Sequence, residues 1–137
     1  MKKIISISLL ALITVLSLVS CKEAPANLWD NATYTEDTVI GEGDTTFTLT
    51  VTAEEKTVTF TVSTNEKTLG EALVKLGLVK GESGAYGLFI TEVNGMELVY
   101  ETHGMYWSVT ENGSTAATGA DGINLQNGGI YGFTAAK

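Results

Sequence analysis

Apolar and polar positions alternate strictly over two stretches of the chain. From Thr45 to Thr52, Phe47, Leu49 and Val51 fall on one side and threonines on the other. The pattern resumes with Val58, Phe60 and Val62 after the polar connection Ala53-Glu54-Glu55-Lys56. A period of two in β-branched and aromatic residues, interrupted by a short connection, predicts an antiparallel hairpin with one buried and one wet face. The threonine side is either an ordinary solvated strand face or a binding surface.

The period then changes. Leu69, Ala72, Leu73 and Leu76 follow helical spacing, Thr68 and Glu71 form a capping-box pair, and Gly77 supplies a stop. These predict one helix over Thr68–Leu76, too short to be stable without the hairpin's apolar face against it. Three Asn-Gly pairs punctuate the remainder. Asn94-Gly95 separates Tyr86–Val93 from Met96–Tyr100, and Asn112-Gly113 separates Met105–Thr110 from Ser114–Ala117. Asn127-Gly128 precedes a last strand over Ile130–Thr134. Asn-Gly tolerates the positive φ angles that type I′ hairpin turns require. The element order predicts an α+β fold, a mostly antiparallel sheet packed on one short helix.

Ahead of this domain lies a different pattern. Lys2 and Lys3 precede an uncharged, mostly aliphatic run from Ile4 to Val19, followed by Ser20 and the only cysteine, Cys21. That order reads as a secretory signal over residues 1–20. A membrane-spanning helix wants about 20 apolar residues, and this run is shorter and holds serines and a threonine. The ending Leu18-Val19-Ser20-Cys21 resembles the lipobox of bacterial lipoproteins. The resemblance implies that the Cys21 sulfur carries diacylglycerol and that the protein sits, lipid-anchored and extracytoplasmic, at the cell membrane or envelope. Residues 21–43 read as a lipidated N-terminus and polar tether, and 44–137 as the domain. Trp29, Tyr34 and Val39 are unusually apolar for a free linker, which predicts that part of the tether docks on the domain as an edge strand.

Charge and chemistry narrow the function. The net charge is −8 and there is no arginine, which excludes a nucleic-acid binder and leaves anchoring to lipid rather than to anionic head groups. With Cys21 acylated, no thiol remains for a disulfide, a zinc site or a nucleophile. No serine lies in a nucleophile elbow, and Glu54-Glu55 are adjacent loop carboxylates that do not converge across a cleft. His103, the only histidine, has no second ligand near it in sequence, so no metal is expected. Asp121, in Gly119-Ala-Asp-Gly122, lacks the alternating carboxylates of a calcium loop and reads as a turn. The chain is expected to be non-catalytic and to require no cofactor.

Tyr106-Trp107 is the pair that suggests binding. Neighbouring strand residues face opposite ways. Either Trp107 fills the core and Tyr106 is a plain surface residue, or one of them reaches a groove near the adjoining turn. The candidate ligand-binding residues are therefore Tyr106, Trp107, Asn112 and Gly113.

Thr68-Leu-Gly-Glu-Ala-Leu73, Leu88-Phe-Ile-Thr-Glu-Val-Asn-Gly95, Tyr106-Trp107 with Asn112-Gly113, Gly119-Ala-Asp-Gly122 and Asn127-Gly-Gly-Ile130 together resemble a known domain. It is the transcobalamin-like C-terminal domain (DUF4430-type), grouped with soluble-ligand-binding β-grasp folds, and the resemblance runs from about Thr45 to Phe133. It implies a β-grasp architecture and, as ligand, cobalamin or another corrinoid. In the vertebrate relatives a separate helical barrel supplies the other half of the site. This chain departs by having no barrel, and by Asn127-Gly-Gly in place of an acidic turn. The resemblance therefore implies half a pocket and a helical-barrel or transporter partner. The alternative from the residues alone is a structural or adhesion module that contacts a cell-surface protein or glycan through a sheet edge or the threonine face. Cys21→Ala is expected to leave the fold intact and to release or misprocess the protein, which membrane fractionation checks.

Overall fold

The computed structural model describes residues 27–85 and 87–137; the leader and Cys21 lie outside them. Two short segments precede the main hairpin, a 3-10 turn at Leu28–Asn31 and strand β1 (Thr38–Gly41). The alternating stretches form β2 (Thr45–Ala53) and β3 (Lys56–Thr64), paired antiparallel from Thr45↔Thr64 to Ala53↔Lys56. Only Glu54 and Glu55 remain in the loop, at φ +52° and +67°. Positive φ at both central positions is what a type I′ turn needs to match strand twist, here met by two non-glycine residues at some steric cost.

Helix α1 (Leu69–Lys75) starts as its capping pattern predicts: the Thr68 hydroxyl accepts a hydrogen bond from the Glu71 amide at 3.2 Å. Gly77, at φ +76°, ends it in the left-handed conformation. Leu69, Ala72 and Leu73 are buried on one face. Beyond the helix come β4 (Val79–Gly84), β5 (Gly87–Val93) and β6 (Met96–Glu97). A single helical turn, α2 (Tyr100–His103), leads to β7 (Tyr106–Glu111), β8 (Ser114–Thr115) and β9 (Ile130–Ala136).

The main sheet has six strands in the order β1-β3-β2-β9-β7-β8, and β4-β5-β6 form a smaller second sheet. β9 enters beside β2 and parallel to it. A hairpin, a helix, and a late strand inserted parallel to the first hairpin strand make the β-grasp arrangement, so the fold is α+β as the element order predicts. The inner face of the main sheet carries Phe47, Leu49, Val51, Val58, Phe60, Val62, Tyr131 and Phe133, all at most 1% exposed. Helix α1, the second sheet and the N-terminal segment share one hydrophobic cluster with it. The outer face presents Thr46, Thr48, Thr50 and Thr52 beside Thr57, Thr59, Thr61 and Ser63. By register it continues through Gly132 and Thr134 to Ser108 and Thr110 without a charged residue.

Several elements differ from the sequence pattern. β4 is a strand without any alternation, Val-Lys-Gly-Glu-Ser-Gly, and is held by pairing to β5 with a register shift at Lys80/Gly81. The segment expected as a strand over Met96–Tyr100 keeps only Met96–Glu97, and Tyr100 opens α2 instead. The Asn127-Gly128 turn is not of type I′. Only Gly128 has positive φ there (+85°), and the Gly129 amide closes the turn on the Gln126 carbonyl at 2.9 Å.

The polar segment before the hairpin packs on the domain from Leu28 onward. β1 is an edge strand, parallel to β3, with Ile40 opposite Val62 and Val39 opposite Thr61. Val39 is nevertheless 80% exposed; it points outward, and Ile40 is the residue packed against the core. The rest of the segment is held by apolar packing of Leu28, Trp29, Ala32 and Tyr34 on the core and by polar groups. The Trp29 indole N–H donates to the Ala53 carbonyl at 2.9 Å, and Lys56 Nζ lies 4.8 Å from the Trp29 ring centroid. Tyr34 meets Phe60 edge-on, with ring centroids 5.6 Å apart.

Asn94, 1% exposed, clamps this segment. Its Oδ1 accepts from the Tyr34 amide at 2.9 Å and its Nδ2 donates to the Tyr34 carbonyl at 2.8 Å. Its own carbonyl accepts from the Thr33 amide at 2.9 Å. Asn94→Ala removes both side-chain bonds and places alanine at φ +53°. It is expected to cost about 3 kcal/mol and to loosen the segment around Thr33 and Tyr34, which urea unfolding and amide exchange of those residues check.

Candidate functional site

The four candidate ligand-binding residues all belong to β7 and its turn, but the sheet does not gather them. Trp107 sits under the sheet, 4% exposed, and its indole N–H donates to the Met96 carbonyl at 3.1 Å. It is a core residue whose one polar group is already satisfied, so it is no platform for a ligand. Tyr106 faces the opposite way and is 37% exposed. Asn112 and Gly113 form a type I′ turn at φ +50° and +91° at the other end of β7. The six-residue strand Tyr106–Glu111 puts that turn about 20 Å from Tyr106. Asn112 is also engaged: its Oδ1 accepts from the Ile130 amide at 3.1 Å, and its amide donates to the Ile130 carbonyl at 2.7 Å. Tyr106 and Asn112-Gly113 thus belong to opposite ends of the molecule.

The two polar residues weighed for metal or calcium are spent locally. The Val99 amide donates to His103 Nδ1 at 3.0 Å, so the imidazole closes its own helical turn. Asp121 Oδ1 accepts from the Leu88 amide at 2.9 Å, joining a 3-10 turn at Ala120–Gly122 to β5. Helix α1 lies against that turn so closely that a Cβ on Gly70 would stand 2.9 Å from Asp121 Cα. Among the described residues no three His, Cys, Asp or Glu side chains converge on a point that could hold a metal ion. Among them, too, no helix is long and apolar enough to cross a membrane.

A more enclosed concavity lies elsewhere among the described residues, at the end of the molecule that carries the Glu54-Glu55 loop. A groove of about 730 Å³ runs between the Leu28–Asn31 turn, the second sheet and α2. Leu28, Leu98 and Met105 give it apolar surface, and Glu54, Glu92 and Glu97 give it carboxylates. Glu54 Oε1 accepts from the Leu28 amide at 2.9 Å, and Glu92 Oε2 lies 3.7 Å from Lys80 Nζ. Asn27, the first described residue, lines the same groove. Sequence reading could not find it, because its walls come from segments up to 78 positions apart.

The fold and these positions can be set against known proteins. The family model described as a domain of unknown function, DUF4430, matches residues 66–129. A protein of Ruminococcus gnavus ATCC 29149, described as a proposed metal-binding protein, superposes with a TM-score of 0.64 at 33% identity. The match covers 69% of this chain and 98% of that one. Haptocorrin, described in complex with Cbi, superposes with a TM-score of 0.50 at 18% identity over 68% of this chain. The chain spans only 25% of haptocorrin, and at that identity the likeness concerns the fold. No curated protein matches.

Trp107→Ala is expected to cost about 3–5 kcal/mol by opening a core cavity, and Tyr106→Ala under about 1 kcal/mol; parallel urea melts check the contrast. The chain belongs to the DUF4430 family, and its domain has the transcobalamin-like β-grasp fold.

Proposed function

We propose that the protein is a lipid-anchored envelope protein whose domain binds a small ligand without transforming it. A corrinoid is the leading ligand class, and a partner protein supplies the remainder of the pocket. The observation that carries this reading is the shared fold with haptocorrin, a chain described with Cbi bound, of which this domain corresponds to a quarter. A domain equivalent to one part of such a protein needs a second body to enclose a ligand of that size, and a shared membrane raises the effective concentration of the two. The metal-binding description belongs to the Ruminococcus gnavus relative; among the described residues here no three His, Cys, Asp or Glu side chains converge.

A second reading, adhesion to a cell-surface protein or glycan, is favoured by one observation. The outer sheet face from β3 to β7 is hydroxyl-rich and uncharged in a strongly acidic chain. Titration calorimetry with cobinamide and cobalamin separates the two, run on the protein alone and mixed with a helical-barrel corrinoid binder. Heat is expected with the barrel present and weaker binding without it. Flat isotherms in both cases would sink the corrinoid reading, and retention on an insoluble neutral polysaccharide would then favour adhesion.

A further inference from the structure

The chain enters the domain at one defined end. Asn27 lies beside the Glu54-Glu55 loop, because Leu28 is bonded to Glu54 and Trp29 to Ala53. β2 runs toward that loop, and β9, parallel to β2, finishes at the same end with Ala136 opposite Tyr106. β7 then runs back, so Asn112-Gly113 lies at the far end. Because residues 28–41 are fastened to the domain, the length left for a tether is the stretch from Cys21 to Asn27. Six residues reach at most about 22 Å. The nine residues of β2 make the sheet about 30 Å tall. An inverted domain would hold Asn27 about that far above the bilayer, beyond the tether's reach. With Cys21 lipidated, that reach excludes the fully inverted pose and leaves the Glu54-Glu55 end, with its groove, nearer the membrane than the Asn112-Gly113 end.

The charge at that end is the wrong sign for lipid. Asp30, Glu54, Glu55, Glu92, Glu97 and Glu101 crowd it, against Lys56 over the Trp29 ring, Lys80 beside Glu92, and Lys137. Anionic head groups would repel it. Its apolar floor of Leu28, Leu98 and Met105 between carboxylates instead complements a chain segment with both lysine or arginine and aliphatic side chains. We propose that this groove docks a basic, partly apolar juxtamembrane segment of an integral membrane partner. The docking rests on the reading of Cys21 as lipidated, and it gives the partner in that reading a place on the domain.

The test uses the full lipidated protein in phosphatidylcholine vesicles, with the lipid on Cys21 verified by mass spectrometry in the same sample. A fluorophore at Glu101→Cys is expected to be quenched by lipids spin-labelled at the head group, and one at Ser114→Cys is not. A synthetic peptide of alternating leucine and lysine is expected to bind, and Glu92→Gln with Glu97→Gln to weaken it at least tenfold; a leucine–glutamate peptide should not bind. An unmodified Cys21 overturns the anchoring reading and the docking with it. A lipidated Cys21 with stronger quenching at Ser114→Cys, or with peptide affinity indifferent to the double substitution or to peptide charge, overturns the docking alone.

Discussion

Phe47, Leu49 and Val51 on β2 and Val58, Phe60 and Val62 on β3 share one face of a two-stranded ribbon, all at most 1% exposed. A two-stranded hairpin cannot hide such a face by itself. At about 1.5–3 kcal/mol for each large side chain buried, that face is worth on the order of 10 kcal/mol, comparable with the net stability of a whole small domain. The remaining elements are arranged around this need. Helix α1 brings Leu69, Ala72 and Leu73 over it, β9 adds Tyr131 and Phe133 beside β2, and Tyr34 and Ile40 close the margin. Phe47 and Tyr131 meet edge-on with centroids 5.4 Å apart, which ties the first long strand to the last.

Polar fastening follows a second regularity. The asparagine of each Asn-Gly pair makes its turn and also accepts a hydrogen bond from a distant amide: Asn94 from Tyr34, Asn112 from Ile130, Asn127 from Thr46. A short amide side chain at a tight turn stands close to its own backbone and projects into the neighbouring segment, which explains why it can serve both purposes. The turns were legible from the dipeptide alone. The distant partners were not, since nothing local specifies which amide lies opposite.

The same division holds for the candidate site. That Tyr106 and Trp107 point to opposite sides follows from strand geometry. Which one is buried, and that Asn112 lies a full strand away from Tyr106, follows from the pairing of β7 with β9. Trp107 is the buried member of the pair, and its indole N–H reaches the Met96 carbonyl across a contact between two sheets. Conversely, the acidic groove was invisible, because Leu28, Glu54, Glu92 and Met105 are neighbours only after the strands have assembled.

By itself the sequence determined the main hairpin, the capped helix, the turns, the acidic character and the family resemblance, because alternation, helical spacing, Asn-Gly chemistry and charge are local properties of neighbouring residues. It also marked the segment before the hairpin as too apolar to be free. Tertiary structure alone decided that β9 lies parallel to β2, that the patternless β4 is a strand, and that Asn94 clamps Tyr34 of the segment before the hairpin. Those outcomes depend on contacts between segments far apart in the chain, whose energies exist only once the hairpin's apolar face has been covered.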